Sequence, residues 1–306
     1  MNFSLANRKI ILYNYADVNN SFWKGYEMKS YSDFVKKRDF LVCVDSDGCA
    51  MDTMDIKHFN CFGPCMVDEW KLDAWSEEIL ARWNEINLYT ITRGINRFKG
   101  LAMALYEINA KYTAIGGVDA LVNWAEIAPE LSNNALKTVI ENGGDAIFKK
   151  ALAWSISVNE AITSLPEEAK LPFPLVKEAL EFAHGYADVA IVSSANLDAV
   201  LEEWKTHGLL DHVDVVMSQN DGSKAHCIEK LLNCGYERER TLMCGDAAGD
   251  LNAAEKNGVH FYPILVRREK ESWQEFISVA MSRLTDGSYS DYGKEKKQQF
   301  LKNLGE

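Results

Sequence analysis

The stretch LVCVDSDGCAMDT, residues 41–53, decides how the rest of the chain is read. Leu41, Val42, Cys43 and Val44 are apolar at every position, as in a strand covered on both faces. Two carboxylates follow at once, Asp45 and Asp47. Residues two apart on an extended chain point the same way, so both can enter one site. Unpaired anions there would repel and lose hydration, and would either shift their pKa values or recruit a cation. The stretch therefore predicts a buried strand that ends at an acidic site in need of a positive partner.

Outward from it, further apolar, β-branched runs read as strands: DVAIV (188–192), VDVVM (213–217), TLMC (241–244) and VHFYPILV (259–266). Helical patterns separate them at 175–186, 196–208, 224–235 and 250–258, three of them closing on Gly. Strands alternating with helices imply βαβ units and a parallel sheet, an α/β fold, with ligands at the carboxyl ends of the strands. Asp45, Ser193 and Asp246 all lie just past such ends. Residues 54–172 read mainly as helix instead, over 72–89, 98–112, 117–128, 132–144 and 145–165, and hold five of the eight tryptophans. We read this span as a helical insertion, leaving 1–53 and 173–306 as the discontinuous sheet domain. LPFP at 171–174 marks the exit. The first 38 residues, with a strand-like IILY and an aromatic NNSFWKGY, have no assigned role.

Composition narrows the function classes. The chain has 306 residues, 47% apolar and 25% charged, ordinary values for a globular protein. It has no apolar run long enough to span a membrane and no signal-peptide pattern. Seven cysteines at irregular spacing do not read as a disulfide framework, so a reducing, cytoplasmic setting is expected. A net charge of −12 argues against nucleic acid or anionic membrane as partners, but not against a small anionic substrate. Oligomeric state is left open.

Four pieces line up for chemistry. They are DSDG (45–48), VSSAN (192–196), GSKAHCIEKLL (222–232) and CGDAAGDLNAA (244–254). Carboxylates from separate loops are the ligands Mg²⁺ takes, together with water and phosphate oxygens. In VSSAN, Ser193, its neighbour Ser194 and the exposed amides up to Asn196 suit an anion near a helix N-terminus. Lys224 can add an ammonium. An EF-hand loop is excluded, since it needs Gly at its sixth position and Glu at its twelfth.

The four pieces together resemble the motifs of the haloacid dehalogenase-like superfamily, over roughly residues 39–53 and 173–266. The resemblance implies a Rossmann-like, doubly wound parallel core. It implies Asp45 as nucleophile, Asp47 as general acid/base, Ser193 and Lys224 as phosphoryl-binding groups, and Asp246 and Asp250 as the acidic pair. Mg²⁺ would be held by Asp45, Asp246 and the Asp47 carbonyl, with Asp250 ligating or orienting. The insertion between the first two motifs implies a helical cap of the first type, and a small phosphorylated metabolite as substrate. TITRGINRFKGL (90–101) is similar to a cap specificity loop, which nominates Arg93 and Arg97 for substrate contact. Without the resemblance, Arg93, Arg97 and Lys99 read as a solvated charged face. Cys49 departs from the usual Thr and sets an oxidisable thiol beside the nucleophile.

The expected activity is that of a Mg²⁺-dependent phosphatase. The rivals are a phosphosugar mutase and a non-catalytic phosphometabolite-binding module. A phosphonate hydrolase is disfavoured because no lysine is diagnostic, and a dehalogenase because Asp47 is present. Cys61 and Cys65 read as packing, and the 267–272 and 294–303 segments as solvated surface.

Overall fold

A computed structural model of the chain describes residues 31–306. The IILY and NNSFWKGY segments lie outside the described residues.

Five strands form one wholly parallel sheet: β1 (Phe40–Val44), β2 (Ala187–Val192), β3 (Val215–Met217), β4 (Thr241–Gly245) and β5 (His260–Pro263). Their order is β3-β2-β1-β4-β5, with Val44 beside both Ile191 and Cys244. The chain runs outward from β1 to β3, then returns across β1 to β4. The order thus reverses between β1 and β4, where an α/β sheet opens a crevice at its carboxyl edge. Asp45 and Asp246 flank that crevice.

The alternation of each strand builds two cores. Val42, Val44, Val189, Ile191, Leu242 and Tyr262 face one layer, with α8 (Val176–His184) and α9 (Leu197–Thr206). Leu41, Cys43, Ala190, Val192, Met243 and Phe261 face the other, with α10 (Lys224–Leu232) and α11 (Ala248–Asn257). Both faces are buried, which is why the strands carry no polar alternation. Phe34 stacks on Tyr236 in this second layer, so the lead-in to β1 is packed from that point.

The C-terminal segment differs from expectation. Beyond β5 run α12 (Glu269–Glu275), a π-helical turn (Phe276–Ala280), α13 (Met281–Thr285) and α14 (Tyr289–Asn303). Ser272, Lys296, Phe300 and Leu304 are buried, and Phe300 packs edge-on against Phe261 of β5. The 267–272 run is surface apart from Ser272, as expected, whereas the 294–303 segment belongs to an amphipathic helix that buries Lys296 and Phe300.

Helices fill the span between Thr53 and the chain's return near Pro172: α1 (Met54–Lys57), a π-helical turn (His58–Phe62), α2 (Gly63–Trp70), α3 (Ser76–Asn84), a second π-helical turn (Glu85–Tyr89), α4 (Arg97–Lys111), α5 (Val118–Ile127), α6 (Asn133–Glu141) and α7 (Ala146–Thr163). The 72–89 pattern is thus not one helix but a 3-10 turn, α3 and a π turn. The helices close around their own aromatic core, in which Trp83, Phe98, Trp124, Phe148 and Trp154 meet largely edge to face. Cys61 and Cys65 pack within this body, and none of the seven cysteines forms a disulfide. Among the described residues no helix is long and apolar enough to cross a membrane.

Candidate active site

The site starts where β1 ends. Asp45 continues the ladder, its N–H donating to the Cys244 carbonyl of β4 at 3.0 Å. The chain then turns sharply: the Ser46 carbonyl accepts from Cys49, Ala50 and Met51, and Gly48 N–H donates to Met51 O at 2.8 Å. Gly48 has φ +79°, and a Cβ there would lie 2.4 Å from Asp246 Oδ2 and 2.6 Å from Arg93 Nη2. Only glycine lets this turn pass so close to the acids of the neighbouring loop.

Three carboxylates meet at the crevice. Asp45, Asp246 and Asp250 are buried, and one oxygen of each lies within 4.8 Å of the others. Lys224, first residue of α10, reaches in from across the sheet, its Nζ 2.7 Å from Asp45 Oδ2 and 2.6 Å from Asp250 Oδ1. Asp250 also accepts from the Ala247 N–H at 3.1 Å, bracing the turn into α11. Its carboxylate occupies the space a Cβ on residue 245 would fill, 2.2 Å away, which explains Gly245 before Asp246. Asp246 Oδ1 is buried without a hydrogen-bond partner.

The electrostatics follow from that crowding. Burial drives the Asp45 pKa well above the carboxylate range; Lys224 pulls it down, while Asp250 and Asp246 push it up further. Lys224 is thus the counter-cation of Asp45, but burial outweighs it. Burial likewise raises Asp246 to about 6, against the opposing pull of Arg93. Burial disfavours the Lys224 charge, but Asp250 and Asp45 outweigh it and raise its pKa. Two acids sharing one ammonium, beside a third that has one oxygen on Arg93 and the other orphaned, fit a hard divalent cation with oxygen ligands.

Asp47 sits differently. Its side chain is about a quarter exposed, and Oδ1 accepts from Thr53 Oγ1 at 2.5 Å and Lys57 Nζ at 2.6 Å. Burial would raise its pKa, but Lys57 and Thr53 outweigh burial and the net shift is downward. Lys57 also faces Glu203 of α9 at 3.5 Å, and burial raises that carboxyl to about 7. Thr53, Lys57 and Glu203 escape a reading built on the four motifs. Thr53 and Lys57 are four apart at a helix start, so they share a face beside Asp47; nothing in the sequence points to Glu203.

Ser193 is buried at the end of β2; its Oγ accepts from Ala195 N–H at 3.1 Å and keeps its own proton to donate. Ser194 is exposed. Asn196 is exposed and its Oδ1 caps α9, accepting from Asp198 and Ala199 N–H. Cys49 is a correction to the reactive-thiol expectation. It is fully buried, its Sγ directed at the Cys244 carbonyl at 3.6 Å, and burial raises its pKa. It packs in the core layer below the turn and is held as a thiol.

The arginine loop is not a solvated face. Arg93 is 3% exposed; its Nε bonds Asp246 Oδ2 at 2.6 Å and its Nη1 the Leu88 carbonyl at 2.8 Å. The helical body thus reaches the acid cluster directly, and Arg93 is held there. Gly94 (φ +67°) follows, where a Cβ would meet Ala247 at 2.8 Å. Arg97 is partly buried and only Lys99 is exposed.

Residues 108–264, just over half the chain, match the haloacid dehalogenase-like hydrolase family. No curated protein matches the sequence. Solved structures with a similar course include the haloacid dehalogenase-like hydrolase SP0104 from Streptococcus pneumoniae, at 11% identity and TM-score 0.43, covering 77% of this chain and 90% of that one. A protein assigned as a β-phosphoglucomutase from Thermotoga maritima aligns at 16% identity and TM-score 0.48, covering 79% of this chain and 99% of that one. The magnesium-bound structure assigned to the hydrolase YfnB from Bacillus subtilis aligns at 12% identity and TM-score 0.43, covering 74% and 86%. With that family match, an α/β core whose strand order reverses at the acid cluster, and a helical body set beside it, the chain belongs to the haloacid dehalogenase-like hydrolases.

Proposed function

We propose that the protein is a Mg²⁺-dependent phosphatase that hydrolyses a small phosphate monoester through a phosphoryl group carried on Asp45. The observation that carries this reading is the buried trio Asp45, Asp246 and Asp250, with Asp246 Oδ1 unpartnered and Lys224 shared between Asp45 and Asp250. A Mg²⁺ ion would be held by Asp45, Asp246 and the Asp47 backbone carbonyl, with Asp250 beside it, and would supply positive charge to the phosphoryl oxygens.

The protein's own residues do the rest. A carboxylate oxygen of Asp45 attacks phosphorus in line, and the bond from phosphorus to the ester oxygen breaks. Ser193 Oγ and the Lys224 ammonium hold the non-bridging oxygens. Asp47 gives a proton to the leaving oxygen, then takes one from the water that attacks phosphorus and releases Asp45. Thr53 and Lys57 hold Asp47 Oδ1, which supports Oδ2 as the oxygen that carries this proton. The helical body acts as the cap, with Arg93 and Gly94 laid against the acid cluster to exclude water. The free cysteines fit a reducing compartment.

The test is phosphate release from a panel of small esters, with Mg²⁺ or with EDTA, by the wild type and Asp45→Asn. Release that needs both the ion and Asp45 supports the reading; equal release in EDTA sinks it. Conversion of glucose 1-phosphate to its 6-phosphate without free phosphate would favour the mutase instead.

A further inference from the structure

The crevice holds a polar group that the mechanism leaves unused. His58 opens the π-helical turn after α1 and is 8% exposed. Its ring is fixed from two sides. It stacks on Phe62, with centroids 4.6 Å apart and planes 18° from parallel, and its Nδ1 accepts from Trp83 Nε1–H at 3.1 Å. Indole N–H only donates, so Nδ1 is bare and the neutral ring carries its proton on Nε2. Burial lowers the His58 pKa to about 3, helped by the charges of Arg93, Arg97 and Lys57 and opposed by Asp47. The ring is therefore a neutral donor held in one tautomer and one orientation.

Nε2–H forms no hydrogen bond to the described residues, yet it is not sealed. The fully enclosed side-chain polar atoms without a partner among the described residues are Trp70 Nε1, Asn84 Oδ1 and Asp246 Oδ1. His58 Nε2 thus opens onto space that an acceptor from outside the chain can enter. The charges that act on the ring say which space. Arg93 lies on Asp246, Lys57 on Asp47, and the Arg97 guanidinium over the Phe62 ring, so they surround the crevice. Lys57 adjoins His58 in sequence and bonds the acid that protonates the leaving oxygen, which puts the donor on the leaving-group side. Stacking on Phe62 alone would be met by a phenylalanine, and a bond to Trp83 alone by an asparagine. Histidine adds a second nitrogen beyond both.

We infer that His58 is a specificity residue that donates Nε2–H to an uncharged oxygen, a hydroxyl or a carbonyl, on the leaving group of the substrate. The substrate class is then a phosphate ester of an oxygen-bearing alcohol, and not of a plain alkyl chain. The phosphoryl end of this inference rests on the phosphatase reading. A neutral donor suits an uncharged acceptor, because neither brings a charge that must be desolvated. Discrimination comes from the donor left bare when the substrate lacks that oxygen.

The experiment is calorimetric binding to the full-length Asp45→Asn protein with Mg²⁺, so that the acidity of the leaving group plays no part. The probes are propyl phosphate, glycerol phosphate and hydroxyacetone phosphate, matched at three carbons. At least one oxygenated probe is expected to bind about tenfold tighter than propyl phosphate, a difference of about 1.4 kcal/mol. The two oxygenated arms decide between hydroxyl and carbonyl. His58→Asn keeps an acceptor for Trp83 but has no group at the Nε2 position, and should bring the affinity ratio close to one. His58→Gln places an amide nitrogen near that position and should retain part of the preference. The ratio in the His58-containing protein stands even where a variant does not fold. Equal affinity for propyl and oxygenated probes overturns the inference, and a preference that survives His58→Asn makes His58 a packing residue only. Turnover of propyl phosphate by the wild type separates the two readings. If it needs Mg²⁺ and Asp45 but binding shows no oxygen preference, the His58 inference alone fails. If no probe binds or turns over, both fail.

Discussion

Asp45, Asp47, Lys224, Asp246 and Asp250 were legible as a set because each lies within a few residues of a strand end or helix start, and the parallel sheet gathers those ends at one edge. Thr53, Lys57 and Glu203 were not, because their role depends on where α1 and α9 pack. Lys57 is the most telling of them. Its removal frees Asp47 and leaves Glu203 buried without a partner, so Lys57→Met should lower kcat by about tenfold or more while changing KM less. The Lys57→Met, Glu203→Gln double variant removes the stranded charge and should recover stability but not kcat; recovery of both would make Lys57 a packing residue only. Cys49 was misjudged for the opposite reason: its place in sequence suggests reactivity, its burial forbids it. Under native conditions iodoacetamide should modify Cys65 and Cys234, which are partly exposed, well before Cys49. Equal labelling of Cys49 would place its thiol in the cleft.

At the scale of elements, periodicity found the strands and most helices but lost the entry to the helical body. No helix was assigned between residues 54 and 71. In the structure a π turn precedes Gly63 and Pro64 sits in the first turn of α2. The loop from Thr90 to Asn96 was visible as a basic loop, but its closure onto Ala247 was not. Gly94→Val should lift that loop from the acids and reduce kcat/KM by about tenfold or more with little change in melting temperature; an unchanged kcat/KM would separate the loop from catalysis. At the opposite end of the sheet, Asp214 closes β2 against β3. It is 1% exposed and accepts from Lys37 Nζ at 2.7 Å and Val189 N–H at 3.0 Å, with His184 at 3.1 Å. Burial alone would raise its pKa, but these partners outweigh it and hold it below the usual value. A depressed folded pKa means stabilisation that is complete above the unfolded value and lost as pH falls through the folded one. Stability should therefore decline below about pH 4, and Asp214→Asn should cost about 1–3 kcal/mol at neutral pH while flattening that decline. An unaltered acid limb in urea titrations would count against it.

For the whole molecule, the division into a sheet body and an aromatic helical body was legible from the change in period near residue 54. The contact between them was not, because Arg93 and Asp246 are 153 residues apart and share no local pattern. The C-terminus was misread because its lysines hide a stripe. Tyr289, Tyr292, Lys296 and Phe300 recur at helical spacing and face inward, with the Lys296 ammonium on Glu275. Phe300→Ala should cost about 3–5 kcal/mol by emptying the core above β5; a cost near zero would mean α14 does not cover the sheet. The net charge of −12 coexists with a site whose cations are gathered from α1, the arginine loop and α10, so the global balance did not foretell the local one.

The most direct test of the central claim is mass spectrometry of the Asp47→Asn protein quenched in acid after brief exposure to a phosphate ester and Mg²⁺. Loss of the base that activates water should let the phosphoryl group accumulate on Asp45. With an aryl phosphate as the ester, whose leaving oxygen needs no proton from Asp47, the account predicts one added phosphoryl group on the peptide that contains Asp45, absent when Asp45→Asn is added. Release of phosphate from that aryl ester by the wild type with no such adduct on the Asp47→Asn protein, or an adduct on another residue, would contradict Asp45 as the nucleophile.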